Sequence, residues 1–427
     1  MNIRINEKLS IETDIPFQSI QELAMTWEIN DHGRVSFSGI VKREKSGSRG
    51  LQEDYLQTTV RFILTGNGDN ESDETLFCGQ IEQIDLQYTH GVLRALVTAG
   101  SASMKLDKKK LCYTFQDTSQ TYAEVAKAVS ALEDGSVICS AGDKKLEKPV
   151  ICYKETAWEF ERRIASLQNS YIIPDIVTGH PNLWFGMRKG KEMKENSSSA
   201  EVNIRKSYVA GEKGRAFISH CLESRDSYFL GDWKVLAGRK YVVYKKETRL
   251  LHGEIQFLYW LANEKDIETE PYYNKRFTGL SLSATVKQTR NETVQVQFDI
   301  DEKNGTYFYP WRPESGNALY AMPEKGSKVE VYFMNHDERQ GIVLRCLHDE
   351  KNKEAGDKLF ETPDAAIGLF GSSIEMVKSK SSMKLRDKSS IGIQGEQLTI
   401  EGNGKIKMTA RSIRLSASTE IKSVTGM

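Results

Sequence analysis

Residues 365–394 read AAIGLFGSSIEMVKSKSSMKLRDKSSIGIQ, and the same pattern runs on to Met427. Apolar residues recur as pairs two apart: Ile367/Leu369, Ile374/Met376, Met383/Leu385, Ile391/Ile393, Leu398/Ile400, Ile406/Met408 and Ile413/Leu415, followed by Ile421. Two-residue spacing puts both members of a pair on one face of a strand. Ser, Lys, Gly, Asn and Thr fill the intervals, so the tail reads as very short strands at a beat of about eight residues. A repeat this short cannot bury its apolar face alone. Antiparallel hairpins are one solution, with turn signals expected at more variable spacing. A small β-domain or a single-chain solenoid is another. The economical solution is several identical chains wound round one axis, an intertwined β-prism. Ile374, Met376, Met383, Leu385, Ile391, Ile393, Leu398, Ile400, Ile406, Met408, Ile413, Leu415 and Ile421 are then expected to point inward. About fifteen inward side chains at ~1.5 kcal/mol each give roughly 20 kcal/mol of gross burial per chain. That burial needs partner chains.

Working outward, 427 residues exceed one core, and several domains are expected. Lys plus Arg and Asp plus Glu both number 59, which argues against a general polyanion or nucleic-acid binder. A hydrophobic share of 39% argues against disorder. The N-terminal residues lack the apolar core of a signal peptide, and no apolar run is long enough for a spanning helix. Six cysteines without paired spacing suit a reducing compartment. The last 63 residues hold ten Lys and Arg against five Asp and Glu. This excess is read as solubilising the outside of an apolar rod.

Strand patterns dominate residues 1–104: 24–29, 34–41, 59–64 and 92–97 alternate or run apolar at strand length. The acids Asp69, Glu71, Asp73 and Glu74 follow a turn and read as an exposed loop, since the glycine and distal glutamate of a calcium loop are missing. Residues 105–188 form an insert with two helices, each opened by a capping box. Thr121 with Glu124 precedes an apolar stripe of Tyr122, Val125, Ala126, Val129 and Leu132. Thr156 with Glu159 precedes Ala157, Phe160, Ile164 and Leu167. One-faced stripes predict helices packed on strands and open to solvent behind. Residues 189–200 read as an exposed linker. Residues 189–270 then resemble the first segment, with strands predicted at 208–210, 228–230, 240–244 and 253–260. Five alternating strands within 278–348 suit a small closed barrel of OB type, with Asn304-Gly305 as a tight-turn signal. Residues 349–364 are charged and read as a linker into the repeat at 365–427.

No catalytic constellation is legible. His220-Cys221 are sequence neighbours, which on a strand point to opposite faces. No zinc, P-loop or nucleophile-elbow spacing occurs, and neither cofactor nor metal is expected. Lys108-Lys109-Lys110 is read as a solvated or subunit-contact face, and Tyr307-Phe308-Tyr309-Pro310-Trp311 as packing in preference to a base-stacking platform.

Three stretches carry a resemblance. Lys108 to Lys110 followed by Phe115-Gln116-Asp117-Thr118-Ser119-Gln120-Thr121-Tyr122 is similar to a basic run and F-Q-[DN]-T-S-x-T-Y in the VgrG-like hub-and-spike family of contractile phage tails and injection systems. Glu155-Thr156-Ala157-Trp158-Glu159-Phe160 with Arg163-Ile164-Ala165-Ser166 resembles that family's E-[ST]-x-W-E-F…R-x-A-S helix. Pro323, Gly326, Val329, Val331 and Phe333 resemble its barrel pattern. The resemblance implies a mainly β, multidomain chain. It would hold two hub β-barrel-like domains with a helical insert, an OB-fold barrel and a C-terminal trimeric β-helix, the β-prism. It implies a homotrimer whose hub forms a pseudo-sixfold ring, adapting a threefold spike to a hexameric tail tube protein. Baseplate proteins, a tip or effector protein, and transiently a target envelope are the implied partners, and no nucleic acid. Assembly in the bacterial cytoplasm into a particle acting outside the cell is implied too. A carrier for a tip or effector protein is the alternative role. The short interval between barrel and prism leaves no room for the lysozyme domain of certain phage spikes, so no enzyme activity is expected.

Overall fold

Strands form where apolar residues alternate, and they gather into five sheets. The computed structural model describes residues 2–5, 8–42, 55–66, 72–140, 142–194, 204–210, 216–267, 269–303, 305–314, 321–347, 356–387 and 389–422. Two units are distinct, Met1–His348 and Asp349–Met427.

The first unit opens with β1 (Asn2–Arg4), β2 (Leu9–Glu12), β3 (Phe17–Glu28), β4 (Arg34–Val41), β5 (Thr59–Leu64), β6 (Glu74–Thr89) and β7 (Val92–Ser101). The insert follows as β8 (Leu111–Phe115), α1 (Tyr122–Ser130), β9 (Val137–Cys139), β10 (Val150–Glu155), α2 (Ala157–Ser166), β11 (Ile172–Pro174) and β12 (Leu183–Phe185). Then come β13 (Ile204–Ala210), β14 (Ala216–Ser224), β15 (Trp233–Leu236), β16 (Arg239–Leu251) and β17 (Glu254–Ala262). One sheet takes both outer groups in the order β1-β2-β5-β6-β7-β4-β3-β16-β17-β14-β13, with β15 on β16. The two β-rich segments, read separately in the sequence, therefore share a sheet. Trp27, Phe37, Phe62, Phe257 and Tyr259 lie in one buried core across the β3–β16 seam.

The halves repeat one topology. Strands β3-β4-β7-β6-β5 and β13-β14-β17-β16-β15 pair in the same order, all antiparallel. Both long hairpins turn on His-Gly, His90-Gly91 and His252-Gly253, with positive φ at all four residues. Such two-residue turns match the right-handed strand twist, and the second position favours glycine.

Both capping boxes are formed. Thr121 Oγ1 accepts from the Glu124 amide and Thr156 Oγ1 from the Glu159 amide, while each glutamate accepts from its cap residue's amide. The stripes differ from expectation at their ends and backs. Leu132 is exposed, because the chain leaves α1 for a short 3-10 turn at Ala131–Glu133. Helix α2 is buried on nearly all sides, Glu161, Arg163 and Ser166 included, since its charged residues find partners inside the protein.

Residues 228–230 form no strand. Side-chain bonds hold them instead, with the Tyr228 amide donating to Tyr259 Oη (2.9 Å) and the Phe229 amide to Asp232 Oδ2 (2.9 Å). The start of the expected linker is likewise anchored. The Met193 amide donates to Trp233 O (2.8 Å) and the Met193 side chain is buried. Residues 195–200 lie outside the described residues, as do Asp69, Glu71 and Asn304.

The unit ends with β18 (Leu280–Arg290), β19 (Thr293–Phe298), β20 (Phe308–Pro310), β21 (Lys328–Phe333) and β22 (Ile342–Cys346), ordered β20-β19-β18-β21-β22. A parallel bridge from Trp311 to Val343 closes them into a small barrel. Its core is Val286, Val296, Phe298, Tyr309, Val331 and Phe333 among others.

The second unit is an antiparallel meander of β23 (Lys358–Thr362), β24 (Ala365–Phe370), β25 (Ser373–Lys378), β26 (Ser381–Arg386) and β27 (Ser390–Gln394). The sequence reading set regular hairpins aside, and this part is corrected. Turns at Gly371-Ser372 and Ser379-Lys380 join six-residue strands, which itself produces the eight-residue beat. Strand β23 also occupies part of the expected linker.

Candidate assembly surfaces

The meander places every apolar pair of its strands on one face. Leu369 lies opposite Ile374 and Ile367 opposite Met376. Ile374 then faces Leu385, Met376 faces Met383, Met383 faces Ile393 and Leu385 faces Ile391. Directly opposed residues of antiparallel strands share a face. Steps of seven, nine and eight residues all bring one pair against the next, because the turns at 371–372, at 379–380 and after Arg386 set the register. Phe360 joins the same face opposite Ile367. Among the described residues these side chains are 40–72% exposed. Soluble monomers rarely expose a contiguous apolar patch of this kind. Of the expected inward residues, the structure brings together Ile374, Met376, Met383, Leu385, Ile391 and Ile393. It does not gather Leu398, Ile400, Ile406, Met408, Ile413, Leu415 and Ile421. They lie beyond β27, in described residues with no strand, at 52–70% exposure.

One polar grouping among the described residues has the composition of a catalytic triad. His32 Nδ1 lies 2.9 Å from Ser103 Oγ and His32 Nε2 lies 3.5 Å from Asp107 Oδ2, a Ser-His-Asp grouping that sequence separation hid. Ser103 is fully buried and shares a 2.8 Å hydrogen bond with Ser101 Oγ. The imidazole stacks on Trp158 at 4.0 Å between ring centroids. The grouping ties the β3–β4 loop to the 3-10 turn at Ala102–Asp107, and the stacking adds a tie to α2. Burial holds the His32 pKa below its ordinary value, against the pull of Asp107. His220 packs edge-on against Tyr241, 4.5 Å away. Tyr309 and Trp311 are barrel core. Among the described residues, no cluster of His, Cys, Asp and Glu could hold a metal, and no helix is long and apolar enough to cross a membrane.

Two of the stretches that carry the resemblance lie at joints, and the third supplies barrel core. Thr114 donates from its amide and its hydroxyl to Asp301 Oδ2 (2.6 and 2.9 Å), and Thr306 Oγ1 donates to Gln116 O (3.1 Å), tying the insert to the barrel. Arg163 sits at the centre, fully buried. It binds Glu155 in bidentate fashion (Nε to Oε1 2.7 Å, Nη2 to Oε2 2.8 Å), donates to Glu338 Oε1 (2.5 Å) and reaches Ile151 O (2.9 Å). Helix, strand β10 and barrel are thereby joined by one charge network. Burial pushes the Glu338 carboxyl up, and Arg163 offsets this. One signal for this burial was present: Arg163 follows Phe160 by three residues, at the spacing of an inward position.

Glu161 is buried on another side of α2, against Ser130 of α1. Burial pushes its carboxyl up to about 8, and Ser130 Oγ donates to it at 2.5 Å. Its folded-state value lies above the ordinary 4.5, so folding takes up a proton between those pH values. The associated stability is full below about 4.5 and is lost as pH rises to about 8. Glu161→Gln should flatten this dependence by roughly 2–4 kcal/mol between the two ends of the window. Urea midpoints at acidic and mildly alkaline pH check it, and equal slopes for variant and parent would refute the assignment.

Comparison with solved structures gives the fold its class. The E. coli c3393 protein aligns with 79% of this chain and 99% of its own at TM-score 0.54 and 13% identity. It is described as a component of the type VI secretion system similar to the T4 bacteriophage tail proteins gp27 and gp5. A chain of the lidded Francisella PdpA–VgrG complex aligns with 88% of this chain and 76% of its own at TM-score 0.53 and 9% identity. The lidless complex gives 88%, 93%, 0.51 and 9%. No protein-family model and no curated protein matches the sequence. The chain therefore has the multidomain β fold of VgrG-like and phage tail hub proteins.

Proposed function

We propose that the chain is a structural component, not an enzyme, of a phage-like tail or contractile injection apparatus. It works as a homotrimeric baseplate hub and spike. The observation that carries this is the apolar face of the meander, exposed among the described residues and followed by seven further exposed apolar residues in the tail. Three copies bring three such faces together and bury them on one axis, gaining the free energy that a single chain cannot. Such a rod cannot splay without exposing every apolar pair at once, which suits a part that concentrates contraction force on an envelope. The duplicated half-sheets supply six equivalent elements from three chains, a match for a hexameric tube. Tail tube and baseplate proteins are the proposed partners, with a tip or effector protein at the spike end. Assembly takes place in the bacterial cytoplasm and action outside the cell.

Electron microscopy of the purified full chain tests this. End-on averages should show a ring with six lobes, and side views a rod leaving one face. Small asymmetric particles of single-chain size would rule the reading out.

A further inference from the structure

Three separate stretches converge at one end of the β8–β10 ladder and bring basic side chains with them. Lys108, Lys109 and Lys110 lead into β8, and all three are exposed. Lys154 is exposed beside them, between the Tyr153–Cys112 and Glu155–Leu111 pairs of the ladder. Lys275 and Arg276 are exposed on the short turn after Asn274, whose Nδ2 donates to Tyr153 O (2.9 Å). Phe277 then packs on the Tyr153 ring at 5.9 Å between centroids, which fixes the turn against β10. Glu159, in the first turn of α2, lies among them, and Lys110 Nζ donates to its Oε2 at 2.5 Å. Burial pushes the Glu159 carboxyl up, but Lys110, the Thr156 amide and Arg276 more than offset this and hold it below its ordinary value. Among the described residues, Glu159 is the one carboxylate that forms an ion pair with the group. The chain as a whole carries no net charge, so the basic excess is local.

Lys154 is held in a strained conformation. Its φ is +51°, in the left-handed region, and among the described residues it is the one non-glycine residue with positive φ inside a strand. The ladder shifts register at this residue, between Tyr153 and Glu155. A bulge of this kind re-aims the side chain it carries, and here the extra residue is a lysine set beside Lys108 to Lys110. Glycine would hold the same backbone freely. Backbone strain gathers where the side chain has a use.

We propose that this convergence is a docking surface for an acidic polypeptide, a partner that presents several Asp and Glu side chains close together. The composition favours carboxylates over phosphates. All but one of the bases are lysines, point charges on flexible stems that meet carboxylates in many geometries, whereas the guanidinium fork that matches phosphate is present once, at Arg276. The nearby rings are already engaged, Tyr153 with Phe277 and Tyr113 with the Lys303 ammonium at 4.7 Å, so neither is a free platform for stacking bases. Exposed lysines speed the encounter with an acidic partner and add little to a permanent seam, which suits a contact made during assembly. The surface lies within one chain and does not depend on the trimer.

Fluorescence anisotropy of a labelled oligo-glutamate peptide against the full chain, at about 0.1 M salt, tests the site. Saturable binding is expected, weakened about tenfold by Lys109→Glu, Lys154→Glu and Arg276→Glu together. Lys110 is kept, because it holds Glu159 at the start of α2. Lys144→Glu, Lys145→Glu and Lys148→Glu make the same change in net charge on exposed residues near the far end of the ladder, where Val150 pairs with Phe115. They should leave binding within about twofold of the parent. Lys154→Gly should raise the denaturation midpoint while weakening the peptide about threefold. No binding by the parent, or equal losses from the two triple variants, overturns the surface. Single-stranded DNA of matched charge that binds tighter than the peptide, through the same three residues, overturns the acidic polypeptide as the occupant.

Discussion

Met383→Asp should turn the trimer into single chains. Met383 lies mid-strand in β26, with Met376 opposite on one side and Ile393 on the other, at the centre of the apolar face. In a trimer, the substitution buries three carboxylates near one axis with no counter-charge. Each unpaired buried charge costs several kcal/mol, and the three also repel one another. The loss is taken from the net free energy of association, which is far smaller than the gross burial because ordering the chains offsets most of it. Ser390→Asp is the control, because Ser390 lies on the opposite face beside Arg386. It should leave the mass of the particle unchanged. A Met383→Asp chain that stays trimeric would show that this face is not the one the copies bury.

The second large effect is expected at Arg163. Arg163→Met keeps the volume of the side chain and removes its charge. Glu155 and Glu338 are then left inside the protein, facing one another without the guanidinium that both bind. Breaking a buried pair from one side costs about 3–5 kcal/mol, and the denaturation midpoint should fall accordingly. Adding Glu155→Gln and Glu338→Gln should restore most of the loss, since the penalty lies in uncompensated charge. A single variant within about 1 kcal/mol of the parent would mean that the network adds little to the joint.

Which features were legible in the sequence follows from how local their causes are. A capping box spans four residues, and both boxes formed as read. Strands β4 and β5 coincide with their apolar runs because alternation is set residue by residue. Burial of Glu161 and Arg163 was not legible as such: charge argued for solvent, and the partners Glu155 and Glu338 come from a strand and a distant barrel turn. The meander was misjudged for a related reason. Its beat was read as a repeat along an axis, whereas two-residue turns at 371–372 and 379–380 fold these strands into hairpins. The duplication in the hub left almost no trace at the level of residue type, and only the paired His-Gly turns could have pointed to it.

Sedimentation equilibrium of the full chain at low micromolar concentration bears most directly on the account. Burial of the meander's apolar face in the proposed spike requires three copies, so the predicted mass is three times 48.4 kDa. A mass of 48.4 kDa, unchanged on concentration, would contradict it and leave that face without an occupant.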